Sequence, residues 1–194
     1  MSKLLIAIAG LARSGKNTLA NLIERELDPN LKIKQFSFAK VLKENLNKIT
    51  FSKDFETNFL SDECKDIKRP LMIEYGNFMR KVSKGEFWWK ELKLQVDQFF
   101  DSSGDVSIIT DFRFFEFEND EYHFIKNYDK ENVKSIIVAM DREGISAAHV
   151  SESINFDKIK KFSDFNVNVK SLKNLSELKN NPDINNLLFE LKKL

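Results

Sequence analysis

Lys16 lies in the run Gly10-Leu11-Ala12-Arg13-Ser14-Gly15-Lys16-Asn17-Thr18, where two glycines bound a turn just ahead of a lysine. The apolar stretch Leu4 to Ala9 precedes this run, and Leu19 to Arg25 follows it with helical spacing. A strand, a glycine-bounded turn and a helix start together form a phosphate cradle. Backbone N–H groups and the positive end of the helix dipole face the anion, and the lysine reaches its outer phosphates. The spacing predicts a nucleotide phosphate site built from Gly10, Arg13, Ser14, Gly15, Lys16, Asn17 and Thr18. Asn17 stands where many such loops carry the hydroxyl that holds Mg²⁺, and the hydroxyl comes one residue later, at Thr18. This order argues against a GTPase or motor ATPase and suits the Gly-Lys-x-Thr pattern of small-nucleotide kinases. Asn47-Lys48-Ile49-Thr50 lacks the aspartate of a guanine-selecting motif, which also counts against a GTPase.

Asp111 ends the apolar run Val106 to Thr110. In a parallel sheet the carboxyl ends of strands converge on the ligand crevice, so Asp111 is expected to meet the glycine turn there. It would hold the water shell of a Mg²⁺ ion together with Thr18, accept a hydrogen bond from a substrate, or cap a helix. Arg113 follows two residues on, and arginine supplies a planar fork of donors to a moving phosphoryl group. Arg13, Arg80 and Arg142 are further candidates. His149, Ser151 and Glu152 are too close in sequence for a hydrolytic triad, and no nucleophile elbow is present; Glu152 reads better as an anchor for substrate or structure. Phe87, Trp88 and Trp89 could stack on a base, although their spacing suits core packing.

The elements that must position these groups follow from periodicity. The chain has 194 residues with formal net charge +1, 42% hydrophobic and 31% charged, which suits one soluble domain and gives no overall pull towards nucleic acid or membrane. The 18 phenylalanines against 3 tyrosines predict a core filled largely with Phe. The single cysteine, Cys64, excludes an intramolecular disulfide and points to a reducing, cytoplasmic setting. Strands are expected at Leu4–Ala9, Leu31–Ser37, Val106–Asp111, Val133–Met140 and Phe165–Val169. Helices are expected after Lys16, over Phe38–Leu46, from Pro70 to Val82, from Phe87 to about Phe100, over Glu116–Lys126, and in a tail broken at Pro182. Phe51, Phe55 and Phe59 fit one short amphipathic turn, and Asp141–Phe156, with Gly144, reads as a lid. The alternation predicts an α/β fold of the P-loop NTPase type. Its three-layer sandwich would have a parallel five-stranded sheet flanked by helices, with a mobile substrate-binding insert and a lid.

Several stretches together resemble the bacteriophage and viral deoxynucleoside monophosphate kinases. They are the Ala-Arg-Ser-Gly-Lys loop, Ser37-Phe38-Ala39-Lys40-Val41-Leu42-Lys43, Tyr75-Gly76-Asn77-Phe78-Met79-Arg80 with Phe87-Trp88, Asp111-Phe112-Arg113-Phe114, and His149-Val150-Ser151-Glu152. The blocks stand in that family's order and span Leu4 to about Val169. The resemblance implies one kinase domain over residues 1–194, with residues 38–100 as the acceptor-binding helical part. It implies transfer of the γ-phosphoryl of ATP, with Mg²⁺, to a deoxynucleoside 5′-monophosphate, by a virus-encoded protein acting in the host cytoplasm. Lys16, Asp111, Arg113 and Arg142 would be catalytic, and Phe38, Lys43, Arg80, Trp88, Asp111, Arg113 and Glu152 would meet the acceptor. The partners would be these small molecules, not nucleic acid or membrane, and a homodimer is left open. The chain departs from the family after Asp-x-Arg-Phe, where Phe115-Glu116-Phe117-Glu118 leaves open which glutamate faces the site, and a glycine expected near the last strand is missing. The alternatives are an animal-type phosphomevalonate kinase and a nucleotide-binding protein without transfer activity; Phe38, Phe78 and Trp88, as a base-stacking wall, favour a nucleotide.

Overall fold

The computed structural model describes residues 3–50, 58–61, 63, 65–170 and 178–194. Cys64, Phe51 and Phe55 lie outside them. The strands are β1 (Lys3–Ala9), β2 (Ile33–Phe36), β3 (Val106–Phe112), β4 (Val133–Arg142) and β5 (Phe165–Val169). The helices are α1 (Lys16–Glu26), α2 (Phe38–Ile49), α3 (Lys65–Val82), α4 (Glu86–Asp101), α5 (Glu121–Lys126), α6 (Val150–Phe162) and α7 (Pro182–Leu191). The five strands form one parallel sheet in the order β2-β3-β1-β4-β5. This is the three-layer α/β sandwich of the phosphate-loop type. β1 is central and turns into α1 where the strand order reverses, the position at which open parallel sheets bind ligands.

Strand alternation divides the core into two layers. Leu4, Ile6 and Ile8 of β1 face the buried side of α1 and α7 through Leu19, Leu22, Ile23, Leu187 and Leu191. Leu5, Ala7 and Ala9 face the opposite layer, where α4 contributes Trp88, Leu92, Val96 and Phe100, and α6 contributes Phe156 and Ile159. The expected Phe-filled core is half right: Phe36, Phe38, Phe100, Phe112, Phe124 and Phe156 are buried in this second layer, while the buried residues of the first are aliphatic.

Three boundaries differ from the sequence reading. The helix expected over Glu116–Lys126 begins only at Glu121, because Asp120 accepts the N–H groups of Glu116, Phe117 and Glu121 and folds the preceding residues into a turn. α3 starts at Lys65 and runs through Pro70, which removes one intrahelical hydrogen bond without ending the helix. Of the stretch Asp141–Phe156 expected as a lid, only residues 143–149 lie between regular elements, since β4 extends to Arg142 and α6 begins at Val150.

Candidate active site

The phosphate loop is shaped by two residues in left-handed backbone, Arg13 (φ 66°) and Gly15 (φ 101°). At Gly10 a methyl group would come within 2.6 Å of both the Met140 carbonyl and Ser14 Oγ, so only glycine fits there. Ser14 Oγ is buried and, among the described residues, has no hydrogen-bond partner, an orphan donor inside the turn. The Lys16 ammonium folds back to donate to the Gly10 and Leu11 carbonyls, each at 2.8 Å. Burial, with the Arg113 guanidinium next in weight, lowers its pKa to about 8, and Asp111 and Glu152 offset this only in part. A lysine so placed gains most from an arriving phosphate, which restores the favourable charge around it. Asn17 is exposed, and Thr18 is half-buried in the first turn of α1. Arg142 donates to the Arg13 carbonyl at 3.2 Å, so it braces the donor loop from the end of β4.

Asp111 serves the first turn of α2. Its two oxygens accept from Ser37 Oγ, Phe38 N–H and Ala39 N–H, each at 2.8 Å, which brings a second helix N-terminus beside the phosphate loop. Asp111 is not itself the expected helix N-cap, since it lies within β3 and Ser37 caps α2, but its carboxylate holds that first turn and fixes α2 relative to β3. Among the described residues no group of three or more His, Cys, Asp or Glu side chains gathers as a metal cage. An ion held through its own water shell would meet Thr18 and the outer lone pairs of Asp111, whose two oxygens already serve α2.

A cavity of about 440 Å³ opens between this loop and the helices α2, α3, α4 and α6. Every expected acceptor-side residue lines it: Phe38, Lys43, Arg80, Trp88, Asp111, Arg113 and Glu152. Ala12 lines it too, so the Gly10–Thr18 loop and the cavity share a wall. Arg113 is exposed, and among the described residues its guanidinium forms no ion pair. Arg80 is different. It is buried, pairs with Glu116 at 2.6 Å and Asp120 at 3.4 Å, and covers the Phe114 ring with 3.9 Å between guanidinium carbon and centroid. It therefore braces the cavity wall; Glu116 is its partner from the exposed side, and neither Glu116 nor Glu118 lines the cavity. Phe78 does not join the aromatic wall, being 60% exposed on the outer side of α3. Trp88 does, held by its indole N–H on the Gly76 carbonyl.

Glu152 lies in the first turn of α6 rather than in a lid loop. Its carboxylate accepts from Ala12 N–H at 3.0 Å and Ala148 N–H at 2.9 Å, tying the phosphate loop to the 143–149 segment. Among the described residues no hydrogen bond joins the side chains of His149, Ser151 and Glu152, in keeping with the reading against a hydrolytic triad. Lining residues that escaped the sequence reading include Glu121 and Asn155. Glu121 is buried, with Oε2 accepting from the N–H groups of Arg113 (2.9 Å) and Phe114 (3.1 Å). Burial, and then the negative Asp120 beside it, push its carboxyl well above the usual range. Asn155 accepts from Phe115 N–H and donates to the Ser151 carbonyl. No local pattern marks either residue, because both are brought to the cavity by tertiary packing.

No helix among the described residues is long and apolar enough to cross a membrane. No protein-family model matches the chain, and no curated protein matches it. Among solved structures it is similar to an unliganded sugar kinase from a Janibacter species, with 14% identity, TM-score 0.46, and coverage of 98% of this chain and 95% of that one. It is also similar to shikimate kinase from Bacteroides thetaiotaomicron, with 16% identity, TM-score 0.44 and coverage of 100% of both chains. Likeness at this level bears on neither substrate nor residue roles.

Proposed function

We propose that this chain is an ATP-dependent kinase that transfers the γ-phosphoryl group to the phosphate of a deoxynucleoside 5′-monophosphate. The observation that carries the reading is the cavity beside the phosphate loop, lined by all the residues expected to meet an acceptor. Its contents suit a phosphate monoester bearing a flat ring. Arg113 and Lys43 offer positive charge, while Phe38, Trp88 and Phe114 offer apolar and aromatic wall. Phosphoryl transfer asks little covalent work of a protein; it needs two anions aligned, water excluded and charge neutralised. The phosphate loop N–H groups and Lys16 hold the donor phosphates, Arg113 neutralises charge between donor and acceptor, and Asp111 keeps α2 in place against both. Mg²⁺, when bound with the nucleotide, neutralises phosphate charge, and Thr18 and Asp111 are the residues that would hold its water shell.

The test is ADP release from purified protein with ATP and Mg²⁺, offering each deoxy- and ribonucleoside monophosphate and mevalonate 5-phosphate separately. Deoxynucleotide-dependent release, lost in Lys16→Ala, is the expected result. Release with mevalonate 5-phosphate alone would replace the acceptor, and the absence of any acceptor-dependent release above the Lys16→Ala control would overturn the kinase reading.

A further inference from the structure

Glu121 is a buried acid on the wall of the acceptor cavity with no cation paired to it among the described residues. Its Oε2 is committed to two backbone N–H groups, whereas Oε1 takes no hydrogen bond from the described residues. Glu121 lines the cavity, so this uncommitted oxygen is open to a polar group that enters it. The negative groups nearby, Asp120 and Asp111, make the anionic form costlier still. A neutral carboxyl both donates and accepts, so its free end can read the polar edge of an uncharged group. The Phe114 ring, on the residue whose N–H Glu121 holds, lines the same cavity and offers a flat partner beside that edge.

Resting on the reading of the chain as a nucleotide kinase, we propose that Glu121 is a specificity-determining residue, whose free carboxyl oxygen hydrogen-bonds the polar edge of the acceptor's nucleobase. Arg113, whose backbone N–H Glu121 holds, takes the phosphate end, so the residues that meet charge and base are tied together by that hydrogen bond. Bases then differ in affinity according to whether they offer a complementary donor or acceptor at that edge, and the sugar plays no part in this contact.

The experiment compares kcat/KM of the wild type, Glu121→Gln and Glu121→Met across the four deoxynucleoside monophosphates and the 2′,3′-dideoxy form of the preferred one. In Glu121→Met, the acceptor KM for the preferred base is expected to rise about tenfold, with the ATP KM within about twofold and the spread among bases narrowed. Glu121→Gln, which keeps the shape, is expected to reorder the bases. If Met at this position prevents folding, the ranking in Glu121→Gln decides. An unchanged ratio between bases in every folded variant would overturn the proposal. A change confined to the comparison of deoxy and dideoxy sugars would also overturn it, moving the contact to the sugar. A wild type inactive on all nucleotides would instead sink the kinase reading, and this inference with it.

Discussion

Single side chains set the polarity of the site, and Lys16 makes this measurable. In the free protein it gives up its proton near pH 8, because burial and Arg113 disfavour the charge. Bound phosphates favour the charged form, so nucleotide binding above that pH takes up a proton and weakens as pH rises, by up to about tenfold per unit. Below about pH 7 the lysine is charged in both states and contributes no slope. Calorimetry of ATP binding is expected to show this bend in the wild type, with weaker and flatter binding above pH 8 in Lys16→Met; a wild-type Kd that stays level to about pH 9.5 would count against the assignment. Asp111 tests the other partner. Asp111→Ala leaves Ser37 Oγ and the Phe38 and Ala39 N–H groups without their acceptor. Urea denaturation should report a loss of about 2–3 kcal/mol. Once α2 is loosened, the acceptor KM should rise more than the ATP KM. Equal rises would mean that Asp111 acts on the donor loop instead of on α2.

At the scale of elements, the hinge between α3 and α4 is held by one glycine. Gly85 has φ +95°, and a methyl group there would lie 3.1 Å from Asp120 Cα and 3.2 Å from the Asn119 carbonyl. Gly85→Ala should cost about 1–3 kcal/mol, lowering Tm by about 2–4 °C for each kcal/mol in a thermal melt. It presses on Asp120, the residue that organises the turn carrying Glu116 and Phe117. The strands and the phosphate loop were legible in the sequence because apolar period and glycine spacing are local signals. The start of α5 was not, since Asp120 stops the helix by gathering three N–H groups in a turn whose residues otherwise suit a helix. Arg80 was legible as an arginine near the acceptor but not as a brace, because its partners Glu116 and Asp120 lie 36 and 40 residues along the chain. Glu121 was invisible for the same reason, its burial arising as α5 packs against β4 and α4.

The whole molecule separates support from chemistry along the sheet. The loops and side chains of the site gather at the carboxyl end of β1 and β3, while the aromatic layer continues to the opposite end. Phe100 marks that far end. It is fully buried near the close of α4, packs against the rings of Phe99 and Tyr128, and lies under the Lys3 ammonium at the start of β1. A strand of this length puts Lys3 roughly 20 Å from the turn after Ala9. Phe100→Ala should therefore leave a cavity and remove about 3–5 kcal/mol of stability. At a temperature where the variant stays folded, the KM values for ATP and acceptor should remain within about twofold of wild type, unlike those of Asp111→Ala. Urea denaturation and steady-state kinetics on the same preparation make the comparison. A folded Phe100→Ala protein with a raised acceptor KM would show that the aromatic layer transmits its packing to the cavity and that the two ends of the sheet are not independent.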